Sequence, residues 1–139
     1  MLEPKKLKYR KQHRNRGSLK GVALRCNKVA YGQFGLKAME KKEITARQLE
    51  AARKAAVRYI KRGGKMWIRI FPHKPITKKS AEVPMGSGKG AVEYYAAPVK
   101  PGTIIFEMDG IEPETAKEAL RLASHKLPLQ CKFIDKKTL

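Results

Sequence analysis

The residues most suggestive of chemistry lie in the glycine-rich run MGSGKG, from Met85 to Gly90. A phosphate-binding P-loop needs Gly-x-x-x-x-Gly-Lys followed by Ser or Thr, because its backbone N–H groups and its lysine surround the phosphates. Here Val83 stands where the first glycine should be, and Gly90 stands where the hydroxyl residue should be. The run therefore does not predict a nucleotide site. It predicts a loop whose glycines allow close approach to a nucleic-acid backbone, with Lys89 adding a positive charge.

The sequence shows no pattern of residues that suits catalysis or metal binding. The histidines, His13, His73 and His125, are scattered, and none has a cysteine or carboxylate at the spacing of a zinc site. The cysteines, Cys26 and Cys131, form neither a CxxC pair nor a disulfide framework, which favours a reducing compartment. A nucleophile elbow is also missing. We expect a protein that is not an enzyme and needs no cofactor or metal.

The charge of the chain indicates a polyanionic partner. Its 139 residues, enough for one domain, include 32 Lys and Arg against 12 Asp and Glu, a formal net charge of +20. Such a charge is self-repulsive unless a polyanion neutralises it, and a pI of about 10.2 is typical of nucleic-acid-binding domains. No apolar run approaches the roughly 18 residues of a membrane span, and no secretory signal is apparent. We therefore expect a nucleic-acid partner and no membrane.

Residues 1–28 predict a basic RNA-binding arm. They hold ten Lys or Arg against the single acid Glu3, and apolar residues such as Leu7, Leu19 and Leu24 are sparse. A segment of this composition cannot bury enough surface to order itself, so we expect it to order on a phosphate backbone. Tyr9 is expected to stack on a base. The predicted RNA contacts of the arm are Lys5, Lys6, Lys8, Tyr9, Arg10, Lys11, His13, Arg14, Arg16 and Lys20.

Residues 45–61 predict an amphipathic helix. Thr45 and Gln48 have the spacing of a capping box, and Gly63 and Gly64 are expected to end the helix. At about 100° per residue, one stripe is suited to packing. It consists of Leu49, Ala52, Ala56, Tyr59 and Ile60.

The opposite stripe of the same helix is a row of positive charges. A solvated surface usually mixes both signs, but only Glu50 lies near this row. The pattern therefore favours RNA contact over simple solvation. The predicted RNA-binding residues of this region are Arg47, Lys54, Arg58, Lys61 and the following Arg62.

The rest of the chain predicts a single α+β domain over residues 29–139, with a mixed or antiparallel sheet and two packed helices. Strands are predicted at residues 29–38, 66–71, 92–98, 103–109 and 129–135. The third and fourth are expected to form a hairpin through Pro101 and Gly102. Pro113 is expected to begin a second helix, residues 113–126. Its surface mixes both charges, which predicts a structural role for this helix and no contact with RNA. The aromatic residues of these strands are assigned to core packing, namely Trp67, Phe71, Tyr94, Tyr95 and Phe106.

Residues 72–91 predict a long projecting loop rich in Pro, Gly and Lys. A loop of this length in a compact domain is usually functional or disordered. We expect it to approach RNA, and the residues assigned to that contact are Lys78, Lys79, Met85, Gly86, Ser87, Gly88 and Lys89.

Several stretches, in order along the chain, together resemble the bacterial-type family of the sixteenth protein of the large ribosomal subunit. They are MLEPKKLKYRKQHR, the specific run ITARQLEAARKAAVRYIKRGGKMWIRIFPHKPIT, the loop MGSGKG, VKPGTIIFEMDG and EALRLASHKLPLQCKF. The resemblance covers nearly the whole chain. One departure lies in the loop, where Pro84 replaces an arginine that is usual in the family, and proline has neither charge nor N–H donor.

The resemblance implies a structural constituent of the large ribosomal subunit. It implies binding to large-subunit ribosomal RNA near the peptidyl-transferase centre and contact with tRNA in the aminoacyl site, with the peptidyl site as a further contact. Neighbouring ribosomal proteins are the other expected partners, and no homo-oligomer is expected. The expected location is the ribosome of the cytoplasm, with an organellar ribosome as the alternative. The rival hypotheses are a free RNA-binding factor, a nucleotide-using enzyme and a basic membrane-surface protein.

Overall fold

The computed structural model describes residues 2–12, 21–61, 63–78 and 88–138. Seven strands, two α-helices and a terminal 3₁₀ turn follow one another in these ranges. In chain order they are β1 (Phe34–Ala38), β2 (Lys42–Thr45), α1 (Ala46–Ile60), β3 (Lys65–Ile68), β4 (Lys74–Lys78), β5 (Ala91–Val99), β6 (Ile104–Asp109), α2 (Pro113–Ser124), β7 (Cys131–Asp135) and the turn Lys136–Thr138.

The strands form two antiparallel sheets. One has four strands in the order β3-β6-β1-β7, and the other has three in the order β2-β5-β4. The helices pack against each other, α2 lies on β1 and β7, and α1 contacts β2 and β5. The predicted α+β class, with antiparallel strands and two packed helices, is confirmed.

The core lies between the helices and the four-stranded sheet. Its largest fully buried side chains include Phe34, Leu49, Phe106 and Leu120. A smaller cluster joins Val29, Ile104 and Ile134, with Cys26 packed against it. The chain before β1 therefore packs on the domain as well, and backbone bonds from Ala23 N–H to the Pro101 carbonyl (2.9 Å) and from Ile104 N–H to the Cys26 carbonyl (2.7 Å) attach it.

Two predictions are wrong, one about a hairpin and one about the extent of the long loop. The turn at Pro101 and Gly102 exists, but β5 and β6 belong to different sheets and do not form a hairpin. Residues 72–91 are not irregular throughout, because Lys74–Lys78 forms β4, in which Lys74, Pro75 and Ile76 are buried. Pro75 is tolerated there because β4 is an edge strand.

Smaller corrections concern the edges of elements. The residue that ends α1 is Lys61, which adopts the left-handed conformation at φ 50° and donates its N–H to the Val57 carbonyl (3.1 Å), instead of Gly63 or Gly64. Tyr59 is 43% exposed and does not join the packing stripe. The strand predicted at 66–71 is a half-buried edge strand, and Phe71, beyond its end, is 44% exposed. In the described part of the chain, no helix has the length and apolar character of a membrane span.

Candidate nucleic-acid interface

The orientation of α1 is fixed at its beginning and along its inner face. The Gln48 N–H donates to Thr45 Oγ1 (3.1 Å), and the Thr45 N–H donates to Gln48 Oε1 (2.9 Å), which completes the predicted capping box. Leu49, Ala52 and Ala56 are fully buried. Because the side chains of a helix are about 100° apart, these contacts determine which residues point away from the core.

The outward face of α1 is a band of exposed positive charge, which we call the α1 cationic face. Glu50, the acid nearest to this face in sequence, forms an ion pair with Arg53. The hydrogen bond from Arg53 holds the pKa of Glu50 below its usual value. The face consists of Arg47, Lys54, Arg58 and Lys61, all exposed, and none of them forms a salt bridge with another described residue.

The outward face of α2 carries charges that are paired within the helix. Arg121 donates from Nε and Nη2 to the two carboxylate oxygens of Glu118, at 2.9 and 2.6 Å. The hydrogen bond from Arg121 lowers the pKa of Glu118. Glu114 and Lys117 are also exposed on this helix. The prediction that this surface has mixed charge is confirmed.

The described beginning of the arm, residues 2–12, lies along the domain next to α1 and β5. Leu2 packs against the core, and Leu2 and Glu3 share a cleft with Arg47 and Tyr94. The side chains of Lys5, Lys6, Lys8, Tyr9 and Arg10 are exposed, and the Lys8 ammonium is 5.5 Å from the centroid of the Tyr9 ring. His13, Arg14, Arg16 and Lys20 lie outside the described residues.

The arm meets the end of the long loop. Lys11 Nζ donates to the Lys89 carbonyl (2.8 Å), and Lys89 Nζ donates to the Gln12 carbonyl. Arg10 and Lys11 also line a cleft with Ala91 at the start of β5. Two segments predicted separately to bind RNA are thus brought together.

Part of the predicted loop site can be described. Lys78 is exposed at the end of β4, and Gly88 and Lys89 are exposed before β5. Gly88 has φ +89°, and a Cβ added there would meet nothing within 4 Å. Lys79, Pro84, Met85, Gly86 and Ser87 lie outside the described residues, as does Arg62, which follows Lys61 in the sequence.

A second charged site, between β3 and β6, was missed by the sequence analysis. Glu107 is fully buried and forms an ion pair with Arg69, while its Oε1 accepts the N–H groups of Ala30 (3.0 Å), Tyr31 (2.7 Å) and Gly32 (2.9 Å). Burial alone would raise the pKa of Glu107, but the bonds from Gly32, Arg69 and Tyr31 outweigh it and lower that pKa. The available signal was the acid Glu107 between apolar residues in TIIFEMD and the single cation, Arg69, in MWIRIF.

Neither metal binding nor a cysteine nucleophile is supported by the residues that the structure describes. No group of three or more His, Cys, Asp or Glu residues there is arranged to hold a metal ion. Cys131 is half-buried, and burial raises the pKa of its thiol to about 12, so it is not a reactive nucleophile.

Comparison with known proteins identifies the family. The model of the family "Ribosomal protein L16p/L10e" matches residues 4–134. A relative from Exiguobacterium sibiricum, named large ribosomal subunit protein uL16, is 58% identical over 136 residues, which cover 98% of this chain and 92% of the relative. Both matches span the two helices and both sheets. The chain therefore belongs to the ribosomal protein L16p/L10e family, and it is a structural ribosomal protein and not an enzyme.

Proposed function

We propose that this structural constituent of the large ribosomal subunit binds large-subunit ribosomal RNA through one continuous basic surface. That surface comprises the α1 cationic face, the arm and the end of the long loop. The observation that carries the proposal is the α1 cationic face, where four exposed cations share one side of a helix whose nearby acid is already paired.

The α1 cationic face has an electrostatic cost that a polyanion removes. Lys54 and Arg58 are four residues apart and Arg58 and Lys61 are three apart, so like charges are neighbours on the helix surface. Each cation that contacts a phosphate releases condensed counterions, which favours binding and makes affinity depend on salt. The face therefore suits a phosphate backbone better than it suits water.

The arm and the loop extend this surface. The cleft shared by Glu3 and Arg47 places the start of the arm beside the α1 cationic face. The bonds from Lys11 Nζ to the Lys89 carbonyl and from Lys89 Nζ to the Gln12 carbonyl place its other described end at the loop. These contacts support a single RNA footprint over three separate ones, because each segment positions the next.

We further propose that the loop approaches the peptidyl-transferase centre and contacts tRNA in the aminoacyl site, with the peptidyl site as a further contact. The support is the family resemblance of the run around MGSGKG together with the exposed Gly88 and Lys89. Because Pro84 supplies neither charge nor N–H, any RNA contact that an arginine would make at this position is lost or is supplied by Lys78, Lys79 or Lys89. Measuring aminoacyl-tRNA affinity of large subunits rebuilt with Lys89→Gln protein tests this: a loss is expected, and an unchanged affinity would remove Lys89 from the contact.

The RNA-binding proposal is tested by affinity for deproteinised large-subunit ribosomal RNA over a series of salt concentrations. The test variant replaces Arg47, Lys54, Arg58 and Lys61 with Gln. With about 0.9 counterion released per phosphate contact, the salt slope should fall by roughly 3 to 4 and the affinity at about 0.1 M salt by roughly a thousandfold.

The control replaces the two cations of α2, Lys117 and Arg121, with Gln, and it should bind as the unchanged protein does. If the two variants lose affinity equally for each cation removed, the charge of the whole molecule, and not the α1 cationic face, drives binding. Sedimentation of the protein with large subunits at about 0.5 M salt separates an integral ribosomal protein from a free RNA-binding factor.

A further inference from the structure

An exposed aromatic residue beside the four-stranded sheet lies outside the basic surface described so far. Tyr31, just before β1, is 62% exposed. Its ring stacks with that of Trp67 on β3, with centroids 6.2 Å apart and planes at 27°. The Arg69 guanidinium carbon is 4.7 Å from the same ring centroid. We call these three residues the Tyr31 platform.

The buried carboxylate of Glu107 binds two members of the Tyr31 platform, Tyr31 and Arg69. One oxygen accepts the N–H of Tyr31 at 2.7 Å and those of its two neighbours, and the other oxygen pairs with Arg69. Arg69 also donates to the Lys28 carbonyl (3.4 Å). A Cβ at Gly32 would lie 2.5 Å from the Met108 carbonyl oxygen and 3.0 Å from the Trp67 ring, so the backbone after Tyr31 is closely packed.

This arrangement holds a largely exposed aromatic ring in place through its contacts with Trp67 and Arg69. Glu107 holds both the backbone of Tyr31 and the Arg69 guanidinium next to its ring. A preformed aromatic surface loses little conformational entropy on binding, which favours stacking of a flat partner on it.

The surroundings of the Tyr31 platform are positively charged. Arg25, Lys28 and Lys65 are exposed close to it in sequence or on β3. Asp109 on β6 is the cross-strand neighbour of Lys65 on β3. It is half-buried and accepts the N–H of Gly110 (2.8 Å). Glu107 is buried and neutralised by Arg69. An aromatic ring among cations matches a nucleobase joined to phosphates better than it matches an apolar protein surface.

We propose that the Tyr31 platform binds an unstacked nucleobase of the ribosomal RNA, with the base on the Tyr31 ring and its flanking phosphates near Lys28 and Lys65. This proposal rests on the proposed RNA-binding function. It adds a second RNA contact at the edge of the four-stranded sheet, whereas the α1 cationic face lies on a helix. Stacking contributes affinity without releasing counterions, so its energetic signature differs from that of the α1 cationic face.

The test compares Tyr31→Ala and Tyr31→Phe with the unchanged protein in binding to deproteinised large-subunit ribosomal RNA over a salt series. Tyr31→Ala should lower affinity about 5- to 100-fold with an unchanged salt slope, as expected for one lost base stack. Tyr31→Phe keeps the ring and should bind normally. Trp67 is the single tryptophan, so RNA should also quench its fluorescence in the unchanged protein.

Met39→Ala is the matched control, because Met39 is also an exposed large apolar residue, at 49%. If Tyr31→Ala keeps its melting temperature and binds RNA as tightly as the Met39→Ala control, the platform does not bind a base, and a neighbouring protein becomes its remaining partner. If the unchanged protein itself fails to bind the RNA, the proposed function fails instead, so the two failures are distinct.

Discussion

Helices α1 and α2 pack against each other and bury similar surfaces, yet their outward faces differ in how charge is arranged. Inside, α1 buries Leu49 with small alanines, and α2 buries Leu120 in the same way. Outside, α1 shows four cations without salt bridges to described residues, whereas α2 pairs Arg121 with Glu118. Two helices of similar construction therefore present different surfaces to their surroundings.

The difference separates what the fold requires from what a partner requires. The inner faces are determined by packing, because small residues let the two helices approach closely. The outer face of α2 is stable in water, since opposite charges three residues apart attract. None of the four cations of the α1 cationic face forms a salt bridge with another described residue, and the face is best explained by a polyanion outside the protein.

The largest effects should come from the inner faces, and they should be alike in the two helices. Leu49→Ala and Leu120→Ala each remove a fully buried side chain, so each should lower the free energy of unfolding by about 2 to 5 kcal/mol. Urea unfolding measures both. If one variant is destabilised and the other is not, the buried faces of α1 and α2 do not contribute equally to stability, which would contradict the comparison.

A smaller effect on stability should separate a buried acid from an exposed one. Glu107→Gln disrupts the buried pair with Arg69 and should lower the free energy of unfolding by about 3 kcal/mol. Glu118→Gln on the exposed face of α2 should leave that free energy almost unchanged, because exposed pairs contribute little. Thermal unfolding of the two variants compares them directly.

The pH dependence of stability follows from the lowered pKa of Glu107. A carboxyl whose pKa is lower in the folded state stabilises the protein above its unfolded pKa, near 4.5, and that stability is lost as pH falls through the folded pKa. The unchanged protein should therefore lose stability below about pH 4.5, and Glu107→Gln should lose less over the same interval. Equal losses would show that other carboxyls dominate.

Local patterns in the sequence were sufficient to predict much of this arrangement. The capping box of α1, the start of α2 at Pro113, and the strand over Cys131–Asp135 each depend on residues close together in the chain. The exposure of the α1 cationic face follows from the same helical spacing.

The errors arose where distant segments decide the structure. Pro101 and Gly102 do form a turn, but the sheet partners of β5 are β2 and β4, which no local signal specifies. The ion pair of Arg69 and Glu107 joins residues 38 apart in the chain, and the contact of Lys11 with Lys89 joins residues 78 apart. Neither pairing could be predicted from one sequence, because each depends on how the sheets are assembled.

Single charge reversals should sharpen the comparison of the outward faces. Arg58→Glu should weaken binding to large-subunit ribosomal RNA by about tenfold or more at 0.1 M salt, because one phosphate contact is replaced by repulsion. Arg121→Glu makes the same change of charge on α2 and should weaken binding by far less. Equal losses would indicate that long-range charge, and not the position of each cation, controls affinity.

The smallest expected effect is a gain. Glu50→Gln removes the acid beside the α1 cationic face and releases Arg53 from its pair, so RNA affinity should rise by about twofold. Glu118→Gln releases Arg121 on α2 in the same way and should not raise affinity. Filter binding at low salt, where screening is weakest, gives the best sensitivity to this difference.

The most direct test of the central claim is the acetylation of lysines in intact large subunits and in the free protein, followed by mass spectrometry. Lys54 on α1 and Lys117 on α2 are both exposed, so they should react alike in the free protein. In the subunit, Lys54 should become protected while Lys117 stays reactive. Protection of Lys117 with continued reaction of Lys54 would contradict the assignment of the α1 cationic face to ribosomal RNA.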